Sequence, residues 1–210
     1  MELCSERSIY TLSLVAVLVS FLGFLVENIW LALTKGFVDN RNMTFPFLLG
    51  YGLFITGMFV LFGTPENLAL FGHRIFRETK KRQYIEYIII AFVVVSIGEI
   101  ILGKLVEALF GFEYWNYSAL PLHITKYTSV FTSLGFALII TFFMGKCFNP
   151  VFSAISSIPL KAAKKISAFF SALLITDFIV SFRKMHKKHG LNVIWRKEIS
   201  LKNKKLHMAE

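Results

Sequence analysis

Tyr84–Phe110 reads YIEYIIIAFVVVSIGEIILGKLVEALF, and this run decides the fold class. Roughly 20 apolar residues, rising 1.5 Å each as a helix, cross about 30 Å of hydrocarbon. The run is longer than that. Three further stretches meet the same requirement: Ser8 to about Thr34, Phe45 to Phe62 and Tyr127 to Met144. A fifth, Ile166 to Phe182, is shorter, contains Asp177, and is flanked by Lys164, Lys165, Arg183 and Lys184. The first stretch is too long, and too poor in a small-residue cleavage site, to read as a signal peptide. Asn149 to Leu160 holds Pro150 and Pro159 around an apolar core too short to cross, which suits an interfacial or re-entrant helix.

The expected fold is therefore all-α: a polytopic transmembrane helical bundle of about five hydrophobic helices, near residues 8–34, 45–62, 84–110, 127–144 and 166–182, plus one short interfacial or re-entrant helix. The transmembrane domain is expected over residues 1–184, followed by a basic polar tail, residues 185–210.

Composition agrees. Of 210 residues, 55% are hydrophobic and 23 are Phe, too apolar for an ordinary soluble domain. Lys and Arg exceed Asp and Glu by 23 to 13, so a formal charge of +10 must sit outside the hydrocarbon. The cations are separated by long uncharged stretches and carry no nucleic-acid-binding signature, so no nucleic acid partner is expected. Cys4 and Cys147 are too few for a disulfide framework or a cysteine-based zinc site.

Charge also orients the chain. Gly63–Gln83 carries Arg74, Arg77, Lys80, Lys81 and Arg82, against Lys35 and Arg41 in the first loop and Lys126 in the loop after Phe110. The positive-inside rule puts the Arg74–Arg82 segment and the N-terminus in the cytoplasm, with the Asn40 and Trp115 loops outside. A fifth crossing would then carry the basic tail outward, against the same rule. The side of the tail is left open by the sequence.

The informative residues are the charges inside the apolar runs, because each costs about 2.5–3.5 kcal/mol at mid-bilayer unless it meets protein, water or a partner. Ser13, Ala16, Ser20, Gly23 and Glu27 recur at spacings of three and four, forming one small, polar face of the first helix. Such a face packs against another helix. Ser96, Glu99, Gly103 and Glu107 form a second stripe on the third helix, where Lys104 can neutralise Glu107 locally. Glu99 has no partner nearby in sequence. Asp177 lies in the last helix with Ser181 one turn on.

No catalytic or metal-binding motif emerges. Gly98, Gly103 and Lys104 spell the start of a P-loop, but Leu105 stands where the magnesium-binding Ser or Thr belongs. His73, His123, His186, His189 and His207 form no ligand pair on a membrane helix. The chain is expected not to be an enzyme, and to use no cofactor and no metal.

The loops carry a family likeness. Glu107-Ala-Leu-Phe110 leads into Gly-Phe-Glu-Tyr-Trp-Asn-Tyr-Ser over Gly111–Ser118, then Pro121. This resembles the ABC-transporter type IV membrane proteins, the CmpB-like family, in which a helix ending E-x-x-F leads into W-D-Y-S and a proline; Asn116 replaces the Asp. Gly23 and Glu27 match the family's G-x-x-x-E, Asn40 and Arg41 its N-R, and Pro46, Tyr51 and Gly52 parts of G-P-x-x-P-x-Y-G. Glu99 matches the third-helix acid, Asn149 and Pro150 resemble a His-Pro, and Asp177 matches the acid of the last helix. Asn42 replaces a glycine, and His123–Tyr127 replaces N-x-N-G-R. The likeness covers about residues 10 to 182.

The resemblance implies a multi-pass cell-membrane permease component working with a separate ATP-binding subunit, and five helices enclose so narrow a path that a homo-oligomer is expected. The candidate intramembrane site is Glu27, Glu99 and Asp177, expected to meet inside the bundle, with the outer loops supplying Asn40, Arg41, Trp115, Asn116 and Tyr117. A non-transport scaffold or regulator would use the same polar stripes for packing alone, and a membrane-embedded lipid-modifying enzyme would need a metal or phosphate site that the sequence lacks.

Overall fold

A computed structural model describes residues 6–70, 73–74 and 79–199, with the backbone alone at 73–74. Cys4, Arg77 and residues 200–210, to which parts of the charge and cysteine readings apply, lie outside the described residues. The chain is mostly helical: α1 (Glu6–Lys35), α2 (Leu49–Phe62), α3 (Lys80–Phe110), α4 (Val130–Phe142), α5 (Phe148–Ser156) and α6 (Leu160–Lys188). A π-turn, Phe143–Cys147, joins α4 to α5, so the two form one rod, Val130–Ser156. Among the described residues four helices are long and apolar enough to cross a bilayer: α1, α3, this rod and α6. The protein is a multi-pass membrane protein.

The second hydrophobic run departs from the expected span. Its helix begins at Leu49 rather than Phe45 and has 14 residues, about 21 Å against the ~30 Å of hydrocarbon. Pro46 and the residues around it form an irregular entry segment instead, because proline disfavours a helical residue before it. The last helix departs the other way: it runs past the expected 166–182 at both ends and has 29 residues.

The short helix expected near Asn149–Leu160 is α5, and its junction has a local cause. Pro150 lacks an N–H and its ring would strike the carbonyl four residues back, at Lys146, inside the π-turn. Widening the helix by one residue there removes the clash and lets the rod continue. Gly145 in that turn lies so close to Tyr84 of α3 that a Cβ would overlap the ring, and the Tyr84 hydroxyl donates to the Gly145 carbonyl at 3.2 Å. The turn to α6 then falls at Ser157–Pro159.

The polar stripe of α1 does pack against helices, and it divides between two. Ser13 Oγ meets Ser171 Oγ at 2.9 Å and accepts from Ser167 Oγ at 2.8 Å, joining α1 to α6. Farther along, a Cβ on Gly23 would overlap the Tyr51 ring, and one on Gly52 would overlap the Ala16 carbonyl. These two glycines bring α1 and α2 into backbone contact. The main apolar core lies towards the opposite end, where Val15, Val19, Ile55, Met58, Tyr87, Ala91, Met144 and Phe148 are buried together and Phe59 stacks on Phe148 with centroids 4.3 Å apart.

Both ends of the bundle are tied by the segments near the two ends of the chain. Arg7 donates to the Ser156 carbonyl at 2.6 Å and Glu6 pairs with Lys164, so α1 begins where α5 ends and α6 starts. At the other end β1 (Phe37–Asp39) pairs antiparallel with Arg196–Glu198, matching Phe37 to Glu198 and Asp39 to Arg196. Among the described residues two further strand pairs form, Ala69–Leu70 with His73–Arg74 and His123–Thr125 with Thr128–Ser129. The described part of the tail is therefore a clasped segment at the Asn40 end. It is not a free arm.

Candidate functional site

Four carboxylates on membrane helices face the two loops at the Asn40 end, and each holds a piece of loop. Glu27 on α1 accepts from Arg41 Nη2 at 3.2 Å and from the Tyr51 hydroxyl. Arg41 Nη1 also lies 3.7 Å from Asp39 Oδ1, and the backbone there turns through positive φ at Arg41 (46°) and Asn42 (66°). The second of these is the position where the family pattern has glycine; asparagine tolerates the left-handed conformation better than most residues. Asp177 on α6, only 6% exposed, accepts the backbone N–H groups of Thr44 and Phe45, both at 3.0 Å, and the Ser181 hydroxyl at 3.2 Å.

The third and fourth acids lie on α3. Glu99 Oε2 accepts from Thr128 Oγ1 at 2.7 Å and Ser133 Oγ at 3.1 Å. Thr128 directly precedes the N-cap of α4, so this carboxylate sits beside a helix N-terminus, where the helix dipole favours an anion. Glu107 pairs with Lys126 at 2.7 Å and accepts from the Tyr127 hydroxyl. The expected local pair with Lys104 does not form, because Gly103 leaves room for the Tyr127 ring against α3 and this brings the neighbouring Lys126 to Glu107. Lys126 also pairs with Glu113 at 2.8 Å.

Hairpin and loop thus fold back along α3, from Phe110 at its end to the depth of Glu99, eleven positions earlier in the chain. Non-helical backbone at such depth is stable only where protein covers it. Here Tyr127, Thr128 and Ser129 are all 1% exposed or less.

Tyr117 lies within electrostatic reach of both halves of this arrangement. Burial raises its phenol above the ordinary value, the Glu99 and Glu27 carboxylates add to the rise, and Arg41 opposes it. Glu27, Glu99, Arg41 and Tyr117 therefore form one electrostatic cluster. Among the described residues Asp177 shares no hydrogen-bond partner with Glu27 or Glu99: its two oxygens accept the Thr44 and Phe45 amides, which the irregular entry to α2 leaves without helical partners.

The remaining loop residues hold the loops in shape. Asn40, 2% exposed, donates to the Met43 and Asn192 carbonyls at 2.8 and 2.9 Å and accepts from the Ile194 N–H at 2.9 Å. Trp115 Nε1 donates to the Tyr127 carbonyl at 2.8 Å, latching the Trp115 loop to the hairpin. Asn116 is exposed, donating to Glu113 at 2.7 Å and accepting from the Ser118 N–H at 2.8 Å.

Sequence reasoning does not single out Tyr51, Lys126, Tyr127, Thr128 or Ser133 for the site. Tyr51 lies in the family pattern, and its contact with Gly23 and Glu27 is readable there only as two matches side by side. The other four lie in or next to a hairpin whose return along α3 leaves no periodic signal.

Among the described residues no group of three or more His, Cys, Asp or Glu side chains is arranged to hold a metal ion. No curated protein and no solved structure matched the chain. The family model described as Putative ABC-transporter type IV matches residues 14–182, a range containing Glu27, Arg41, Glu99, the Trp115 loop and Asp177, and the chain belongs to this family of helical membrane proteins.

Proposed function

We propose that the protein is a permease-like membrane component that works with a separate ATPase and whose gate is the loop assembly at the Asn40 end. The observation that carries this reading is the attachment of both loops to carboxylates on membrane helices. A loop held by a few hydrogen bonds at Glu27, Glu99 and Asp177 can release and re-seat without breaking the helices. Tyr117 is coupled electrostatically to both Glu27 and Glu99, so one displacement of its loop would change the surroundings of both acids together. Five helices enclose only a narrow path, which favours two copies around a shared one. The Arg74–Arg82 end faces the cytoplasm in this reading, where the ATPase would dock.

A second reading, a non-transport scaffold, is favoured by the same acids being engaged in anchoring the loops. The two readings separate in one experiment. The tagged chain is purified from its native membrane under mild detergent, and the Glu99→Gln variant is compared with it. The permease reading expects a co-purifying Walker-type ATPase whose ATP turnover is stimulated by the wild-type chain and not by the variant. Repeated recovery without an ATPase, or equal stimulation by the two, would overturn it in favour of the scaffold.

A further inference from the structure

We propose that the last two turns of α6 and the clasped segment after them form a binding site for anionic phospholipid headgroups. This rests on the chain lying in a bilayer and is independent of the transport reading.

Arg183, Lys184, Lys187 and Lys188 form two pairs spaced four residues apart, which stack on one face of α6. All four are exposed. Phe182 and Met185, on the opposite face, turn inward and are 8% and 0% exposed, so the cations share the outward side. At His189 the backbone reverses through a positive φ of 47°, and the Gly190 N–H returns to the Met185 carbonyl at 3.2 Å.

The segment after Gly190 is held on both sides. Asn40 grips the backbone at Asn192 and Ile194, Asn192 donates to the Asn42 carbonyl at 3.3 Å, and Arg196–Glu198 is paired with β1. Within this fixed frame Leu191, Val193, Ile194 and Trp195 remain 45–51% exposed. A mobile arm could turn such side chains inward. This one cannot, and apolar area held in water is disfavoured by about 25 cal/mol per Å².

Arg196 lies over the Phe37 ring at 3.4 Å, and Lys197 beside it is exposed. None of the six cations from Arg183 to Lys197 makes an ion pair among the described residues, whereas Arg41, Lys126 and Lys164 each do. Unpaired guanidinium and ammonium groups next to a rigid apolar and indole surface match the chemistry of a headgroup layer: phosphodiester oxygens for the cations, and the acyl boundary for Leu191, Ile194 and Trp195. Through β1, an occupied site would also hold the Asn40–Arg41 loop at a fixed depth.

The test uses the full chain in neutral detergent, titrated with phosphatidylglycerol, with phosphatidylcholine, or with inorganic phosphate, while thermal unfolding and retained lipid by native mass spectrometry are recorded. Phosphatidylglycerol is expected to raise the midpoint and to be retained; the other two are not. The variant R183Q/K184Q/K187Q/K188Q is expected to unfold like wild type without lipid and to need about tenfold more phosphatidylglycerol or greater. The double variant K187Q/K188Q provides the same reading with a smaller shift if the fourfold change impairs folding. Substituting Lys161 and Lys165 at the opposite end should leave the titration unchanged. Equal response to the two lipids, an equal shift with inorganic phosphate, or unaltered affinity in both variants would overturn the proposal.

Discussion

Three glycines on α2 allow the packing of the short helix to be measured against itself. A Cβ on Gly52 meets the Ala16 carbonyl oxygen and carbon and the Ser20 hydroxyl, whereas one on Gly50 or Gly57 meets nothing within 4 Å. The obstacle at Gly52 is mostly backbone of α1, which cannot rotate aside, so Gly52→Ala must push the helices apart. Overpacking of this kind costs about 1–3 kcal/mol, while alanine in a helix recovers about 0.5–1 kcal/mol over glycine. The recovery is common to both substitutions, so the difference between Gly52→Ala and Gly57→Ala isolates the packing cost. For a chain of this size about 2–4 °C accompanies each kcal/mol, and the two midpoints should differ by about 2–12 °C, with Gly57→Ala the higher. Thermal unfolding of the purified variants in one detergent reads this directly. Equal midpoints, or a lower midpoint for Gly57→Ala, would refute the close approach of α1 and α2 on which the position of Tyr51 against Glu27 depends.

The loop anchors give three more expected outcomes. Asp177→Ala leaves the Thr44 and Phe45 amides without an acceptor and should cost about 2–4 kcal/mol, with faster hydrogen exchange at those two amides; Asp177→Asn should lose less. The Lys126 hydrogen bond holds the Glu113 carboxyl below its ordinary value, and the Glu107 and Glu113 carboxylates hold the Lys126 ammonium above its own. The Glu113 contribution is present above the ordinary carboxylate value and lost as pH falls through the lowered one, and that of Lys126 is present below the ordinary lysine value and lost as pH rises through the raised one. Trp115 fluorescence, read with Trp30 and Trp195 replaced by Phe, should therefore stay flat between those limits and change below the carboxylate range, and Lys126→Gln should move the acid transition upward. Asn40→Ala removes two side-chain hydrogen bonds between loop and tail and one within the loop, and should expose the peptide after Lys197 to limited trypsin digestion while the helices stay protected; unchanged cleavage would count against the clasp.

What the sequence determined by itself is the membrane class and the identity of the helices. Hydropathy adds along the chain, so Tyr84–Phe110 declares a crossing helix whatever its neighbours do, and the stripe from Ser13 to Glu27 declares a packing face because its period is local. The same locality explains what escaped. Pro150 stands where a helix would be expected to break, but the chain absorbs it in a π-turn on which Tyr84 of α3 packs at Gly145. Glu107 had a cation three residues away and took one 19 residues away instead. Asp177 meets amides 132 and 133 positions distant, and Asn40 meets the tail at separations of 152 and 154. Only the tertiary structure decided these pairings, since an intramembrane carboxylate must find a donor somewhere, and which donor reaches it depends on how the loops return along the helices.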